Sequence, residues 1–300
     1  MTTLRIGTRR SRLAMAQAGE VARRLAAYGV ESELVPLQTA GDRGERAPDP
    51  AFAGVKGLFV AEIVRALEDG QVDLAVHSAK DLPAEDPFGV VVAAVPERAD
   101  PRDVLVTREQ RLRPTSTVGT SSPRRSAQLA ASRPHLRVVA MRGNVDTRLA
   151  KVEEGEVDAV VLAAAGLSRL SAAPAHVAAL SLDEMLPAPG QGALAVQARA
   201  GDAEVVERVR RIEHRPSRAA FDAERALVHL LGGGCALPLG AHAEPQGGGV
   251  LLRAVAVSPD GRTLARGGAE DEPKGAAEAV ARQMLARGAA EILAAVRDAS

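Results

Sequence analysis

Short apolar runs separated by amphipathic stretches fill the first two thirds of the chain, and this alternation constrains the fold more than any other feature. LRIGT (4–8) reads as a strand. Residues 12–28 read as a helix, with Leu13, Ala16, Val21, Leu25 and Tyr28 at its apolar positions and a stop at Gly29. ESELVPLQ (31–38) reads as a second strand, and DLAVHS (73–78), VVVAAV (90–95), DVLVT (103–107), RVVAMR (137–142) and AVVLAAA (159–165) follow it. Apolar strands alternating with helices imply a mostly parallel sheet covered on both faces. In such folds ligands sit beyond the carboxyl ends of the strands.

A chain of 300 residues allows two or three domains. PERADPRD (96–103) and LPAPGQGA (186–193) are Pro/Gly-rich breaks that bracket one block, and EHRPS (213–217) is a third break. Beyond it the pattern changes. VLLRAVAV (250–257), the turn SPDGR and TLARGGAE predict an antiparallel hairpin, and residues 275–297 predict one amphipathic helix. This last third reads as a separate, smaller α+β unit. Residues 39–57 form a polar Gly/Pro stretch of a length that marks a functional or mobile loop.

Bulk composition narrows the partners. Lys plus Arg and Asp plus Glu are both 38, so no global field draws nucleic acid or membrane. With no Trp, one Tyr and four Phe, the chain lacks the aromatic platforms of single-strand binding. One Cys excludes an intrachain disulfide, and no Cys/His cluster suggests a structural metal. MTTLRIG has no apolar signal region, and no apolar run reaches the ~18 residues of a membrane span. The expectation is a cytoplasmic protein acting on a small molecule.

The arginines fall in an unusual place. A helix N-terminus carries partial positive charge, so each cation there costs ~0.3–1 kcal/mol. Arg9, Arg10 and Arg12 surround Ser11, a candidate cap after the first strand. In VGTSSPRRSAQL, Ser122 suits an N-cap and Pro123 a first helical residue, which puts Arg124 and Arg125 in the first turn. In RGNVDTRLAKV, Asn144 can cap, Arg142 precedes it and Arg148 follows one turn later. Arg169 trails AVVLAAAGL. Each alone reads as a snorkelling or salt-bridged arginine. Together, on one edge of a doubly wound sheet, they make a cleft for a ligand with several carboxylates or phosphates. No GxxxxGK[ST] or dinucleotide fingerprint is present.

AVHSAKDLPAE sets His77, Ser78, Lys80 and Asp81 directly after a buried strand. Asp81 either caps the turn before Pro83, pairs with Lys80, or serves a positive charge that develops in a reaction. His77 alone reads most simply as a core histidine. Cys235 follows three glycines in HLLGGGCALPLG, which suits a loop tip better than a packed core.

LRIGTRRSRLA, VKGLFVAEI, DLAVHSAKDLP, VGTSSPRR, RGNVDTRL, AAAGLSRL, LPAPGQGA and GGGCALPLG occur in an order that resembles the porphobilinogen deaminase (hydroxymethylbilane synthase) family. HSAKDLP, GTSSPRR and GGGCALPLG are the specific segments. The resemblance implies two periplasmic-binding-protein-like α/β domains and a smaller C-terminal α+β domain: residues 1–96 with 191–214, 97–190, and 215–300. It implies a monomer that condenses four porphobilinogen molecules head-to-tail, with loss of ammonia, into hydroxymethylbilane. A dipyrromethane cofactor, held through a thioether on Cys235, would prime the chain. Ser78, Lys80, Asp81, Thr120, Ser121, Ser122, Arg124 and Arg125 would hold the cofactor. Arg9, Ser11, Arg142, Arg148, Arg169 and Lys56 would hold the substrate or growing chain, and Asp81 would stabilise cationic intermediates. Phe52 stands where family members often carry a second loop lysine. Two rivals remain: a non-catalytic solute-binding or sensor module for a polycarboxylate, and a cysteine hydrolase with His229 or His242 as base.

Overall fold

The computed structural model describes residues 2–37, 55–232 and 237–297, with side chains in the helix starting at Val55 described from Val60 onward and that of Arg297 left out. Cys235 and the loop through Phe52 lie outside the described residues. In chain order the elements are β1 (Leu4–Arg9), α1 (Arg12–Ala26), β2 (Ser32–Leu37), α2 (Val55–Glu68), β3 (Leu74–Ser78), β4 (Val90–Ala94), β5 (Asp103–Thr107), β6 (Thr117–Gly119), α3 (Pro123–Ser132), β7 (Arg137–Val139), α4 (Val145–Glu153), β8 (Ala159–Ala163), α5 (Ala164–Arg169), β9 (His176–Ala179), β10 (Leu194–Arg199), α6 (Ala203–Arg210), α7 (Arg215–Leu230), β11 (Leu239–Gln246), β12 (Gly249–Val257), β13 (Leu264–Asp271), α8 (Pro273–Leu285) and α9 (Ala289–Arg297). A 3-10 turn spans Ala79–Asp81. Among the described residues no helix is long and apolar enough to cross a membrane.

Two compact units divide the chain: residues 1–99 with 193–221, and residues 100–192 with 222–300. The first is built on a sheet of order β2-β1-β3-β10-β4. β1 runs parallel to β2 and β3, while β10 runs antiparallel between β3 and β4. The alternation of apolar runs therefore gives four strands of one direction and one opposed, a mixed rather than wholly parallel sheet. Both faces are covered, as continuous apolar strands require. Leu4, Ile6, Leu74 and Val76 pack with Val21 and Leu25 of α1 on one face. Ala75 and Ala195 pack with Ile63, Val64 and Leu67 of α2 on the other.

Helix α1 shows how sequence sets these bounds. Ser11 Oγ accepts from Ala14 N at 3.3 Å and caps its start. Gln17, Ala18, Val21 and Leu25 form its buried face. It ends where Gly29 takes a φ of 71°, letting Val30 N reach Leu25 O at 3.1 Å and Gly29 N reach Ala26 O at 2.9 Å. This pairing satisfies carbonyls that the last turn would otherwise leave open, and Val30 packs in the same cluster as Leu25.

The second unit contains two sheets. One has the order β7-β6-β8-β5-β9, again with a single opposed strand, β5, paired antiparallel to β8 and β9. The other is the antiparallel meander β11-β12-β13, which includes the expected hairpin. Ala276, Ala277, Val280, Ala281 and Met284 form the buried face of α8. A Cβ on Gly267 of β13 would meet Val280 and Met284 at 3.0 and 3.1 Å, so its absence lets helix and strand approach closely. The helix expected over 275–297 is two helices, because Gly288 at φ 85° turns the chain before α9. Within this unit Glu224, fully buried, accepts from Gly190 N at 2.6 Å and Ala243 N at 2.7 Å. It thereby ties the 186–192 segment to β11.

Candidate active site

In the first unit, β1 and β3 are parallel neighbours, so the turns after them share one sheet edge. Arg9 closes β1, Ser11 caps α1, and Ser78 closes β3. Gln17 of α1 donates to Ser78 Oγ at 2.7 Å and fixes the two turns together. The Ala79–Asp81 turn follows, held by Ala79 N to Ala193 O at 3.0 Å and Leu82 N to Ala79 O at 3.2 Å. Lys80 and Asp81 thus ride on a short, doubly anchored turn at the end of a buried strand. His77 lies just inside it, 5% exposed. Burial pushes its pKa down to about 4 against the pull of Asp81 and Asp86, so the ring is neutral at neutral pH. Lys56 stands in α2, but its side chain lies outside the described residues.

In the second unit, β6, β7 and β8 are parallel and their turns gather on one edge. Thr120 is buried and donates its N–H to Val139 O at 2.9 Å. Ser121 Oγ donates to Met141 O at 2.9 Å, joining the turn after β6 to the turn after β7. Ser122 caps α3 with Pro123 in the first turn, as its sequence dictates. A Cβ on Gly119 would meet the end of the Met141 side chain at 2.5 Å, so a larger residue would displace that side chain where these two turns close. Arg142 is exposed and Arg148 half-buried. Asn144 occupies the cap position of α4, but its side chain makes no cap bond.

Arg124 and Arg125 do not simply point outward. Both are buried, and both turn back onto Asp103 of β5. Arg124 Nη1 reaches Asp103 Oδ2 at 2.7 Å and Leu186 O at 2.8 Å. Arg125 places Nε and Nη2 on Asp103 Oδ1 at 3.0 and 2.7 Å, and Nη1 on Val161 O at 2.8 Å. Gln191 Nε2 adds a 3.0 Å bond to Asp103. Burial alone would raise the Asp103 pKa, but the two guanidinium groups reverse this and hold it well below the usual carboxylate range. One carboxylate therefore meets two buried cations, leaving one positive charge in excess. Burial first, and the Arg125 charge second, push the Arg148 pKa below its ordinary value. This edge is thus electropositive beyond its internal pairing, and Arg124 Nε and Nη2 make no bond among the described residues.

Arg169 departs from the helix-start pattern. It ends the short helix α5, where the dipole favours a cation, and Arg169 Nη2 donates to Gly192 O at 3.1 Å. Gln17 in the first unit, and Asp103 and Gln191 in the second, are structural partners that motif reading did not single out. An acid opening an otherwise apolar strand, DVLVT, was the available signal for Asp103.

Fold and turns together define a class: a doubly wound α/β protein with arginine-bearing turns at its strand ends. Residues 4–207 match the family described as Porphobilinogen deaminase, dipyromethane cofactor binding domain, and residues 219–286 match Porphobilinogen deaminase, C-terminal domain. The chain belongs to the porphobilinogen deaminase family and is a tetrapyrrole-synthesis transferase that works with a dipyrromethane cofactor. Curated relatives named porphobilinogen deaminase include proteins of Rubrobacter xylanophilus, 48% identical over 97% of both chains, and Desulforudis audaxviator, 46% identical over 97% of both. A third, from Syntrophomonas wolfei, is 43% identical over 99% of this chain and 100% of its own. Among solved structures, a periplasmic substrate-binding protein from Coxiella burnetii is 16% identical and covers 70% of this chain and 92% of its own, with a TM-score of 0.42. The family and relative matches do not favour the solute-binding alternative.

Proposed function

We propose that Asp81 stabilises the positive charge that develops on each porphobilinogen as ammonia leaves, and assists the accompanying proton transfers. The observation that carries this reading is the anchored Ala79–Asp81 turn at the end of β3, whose carboxylate faces a histidine kept neutral by burial. In a site of low dielectric a carboxylate acts on a developing positive charge more strongly than it would in water.

Cys235 would carry the dipyrromethane through a thioether, since a soft sulfur nucleophile suits capture of an electrophilic exocyclic carbon. When bound, the dipyrromethane supplies a pyrrole with a free α-carbon as acceptor for the first porphobilinogen. The chain's own residues bind and orient. Arg124, Arg125, Lys80, Ser78, Thr120, Ser121 and Ser122 would hold the cofactor's acetate and propionate groups. Arg9, Ser11, Arg142, Arg148, Arg169 and Lys56 would hold those of the substrate. The excess of buried guanidinium charge around Asp103 and the uncommitted donors of Arg124 support a polycarboxylate as the occupant of the second unit's edge.

Three separate sheets support a division into domains at 1–96 with 191–214, 97–190 and 215–300. Balanced charge supports a small-molecule substrate rather than nucleic acid or membrane, and membership of the family supports a cytoplasmic monomer. Intact-protein mass spectrometry tests the cofactor assignment: the wild type should carry a dipyrromethane-sized excess that Cys235→Ser lacks. An active wild-type chain of unmodified mass would overturn it.

A further inference from the structure

One buried polar pair lies outside the arginine clusters. His77 on β3 and Gln197 on β10 occupy adjacent antiparallel strands, where Ala195 lies opposite His77 and Gln197 opposite Ala75. Both side chains therefore leave the same face of the sheet, one diagonal apart. That face is otherwise apolar, packed with Val60, Ile63, Val64 and Leu67 of α2. Gln197 is fully enclosed. Its Nε2 donates to Asp86 Oδ1 at 2.9 Å. Its Oε1 and the His77 Nε2 are both buried without a hydrogen-bond partner, and the amide is near enough to the ring to raise its pKa. One is an acceptor and the other, in one tautomer, a donor.

We propose that Gln197 is a positioning residue: it accepts from His77 Nε2–H, donates to Asp86, and so staples both ends of the segment that carries Lys80 and Asp81. The amide suits both tasks at once, because only one of its ends is a donor. Burial keeps His77 neutral even though this bond, like the nearby carboxylates, favours the protonated ring, and the amide gives the Nε2 proton a partner other than Asp81. The functional part rests on the reading of Asp81 given above. The charged groups that act on the ring are Asp81 from the turn and Asp86 from the loop after it, both of which favour protonation, while burial opposes them and prevails. α2 presents Val60, Ile63 and Val64 to this face and β4 presents Val92.

The test begins on the wild-type holoenzyme with nitrogen NMR of labelled histidine. Only six histidines are present, and His77→Asn assigns the signal. The ring should be neutral at about pH 6, with its proton on Nε2. Gln197→Glu should charge it at that pH and move the acid limb of the turnover profile upward. Gln197→Glu and Gln197→Leu should each lower kcat about tenfold or more, with KM changed less than about twofold. Cofactor mass should persist in both variants. A proton on Nδ1 in the wild type, or an unchanged pH profile in Gln197→Glu, would overturn the proposal. Asp81→Asn separates the two claims: if it turns over normally, the Asp81 reading falls, while tautomer and charge state are read without turnover.

Discussion

Replacing Asp103 by Asn probes the network that seats Arg124 and Arg125. In the wild type both guanidinium groups approach the carboxylate to 2.7 Å, and Asp103 is fully buried. A unit charge pair with centres ~4 Å apart gains about 4 kcal/mol at an effective dielectric near 20, so two pairs give roughly 8 kcal/mol. Desolvation of the carboxylate and mutual repulsion of the arginines take back several kcal/mol, leaving an expected loss of about 3–5 kcal/mol on substitution. That is about a third or more of the stability of a typical domain. Urea unfolding followed by far-UV circular dichroism is the assay, since the chain has no Trp and one Tyr. Hydrogen exchange in α3 localises the loss in a protein of more than one unit. The sign with pH follows from the depressed pKa of Asp103. Its contribution is complete above the unfolded pKa of about 3.9 and is lost as pH falls from there through the folded value, so wild type and variant should converge in acid. A deficit under about 1 kcal/mol at neutral pH, or one that stays constant into strong acid, would refute the reasoning.

Other substitutions reach the remaining parts. Asp81→Asn should lower turnover of porphobilinogen by about 10²-fold or more while cofactor mass persists, and steady-state kinetics within about twofold of wild type would remove Asp81 from the mechanism. Arg148→Leu should raise KM by about tenfold and weaken its dependence on salt, an outcome checked by kinetics at two ionic strengths. Leu252→Ala, at a fully buried position of β12, should cost about 2–5 kcal/mol with little effect on the chemistry at saturating substrate, as thermal unfolding would read out.

The strands bordered by helices were legible because each is buried on both faces and so carries an unbroken apolar run. LRIGT, DLAVHS and DVLVT are examples, and Gly29 marked the end of α1 correctly. Strand β10 escaped notice. It follows a Pro/Gly break directly and contains Gln197, and its place between β3 and β4 depends on partners about a hundred residues away. The single helix expected over 275–297 failed because nothing local distinguishes Gly288 as a break until its backbone angle is known. At the site, Ser122 and Pro123 announced the start of α3 by local chemistry. The partner that draws Arg124 and Arg125 inward did not, because Asp103 is about twenty residues distant and acidic residues are more often solvated.

The opposed strand β10 has a consequence for synthesis. Until it emerges, β3 and β4 have no neighbour on their facing edges, although both were translated roughly a hundred residues earlier. At a ribosomal rate of 5–20 residues per second that interval is about 5–20 s. Throughout it the nascent amino-terminal segment presents two open, apolar strand edges, the kind of surface that aggregates or recruits chaperones. Vectorial folding of this unit must therefore wait for the chain to return.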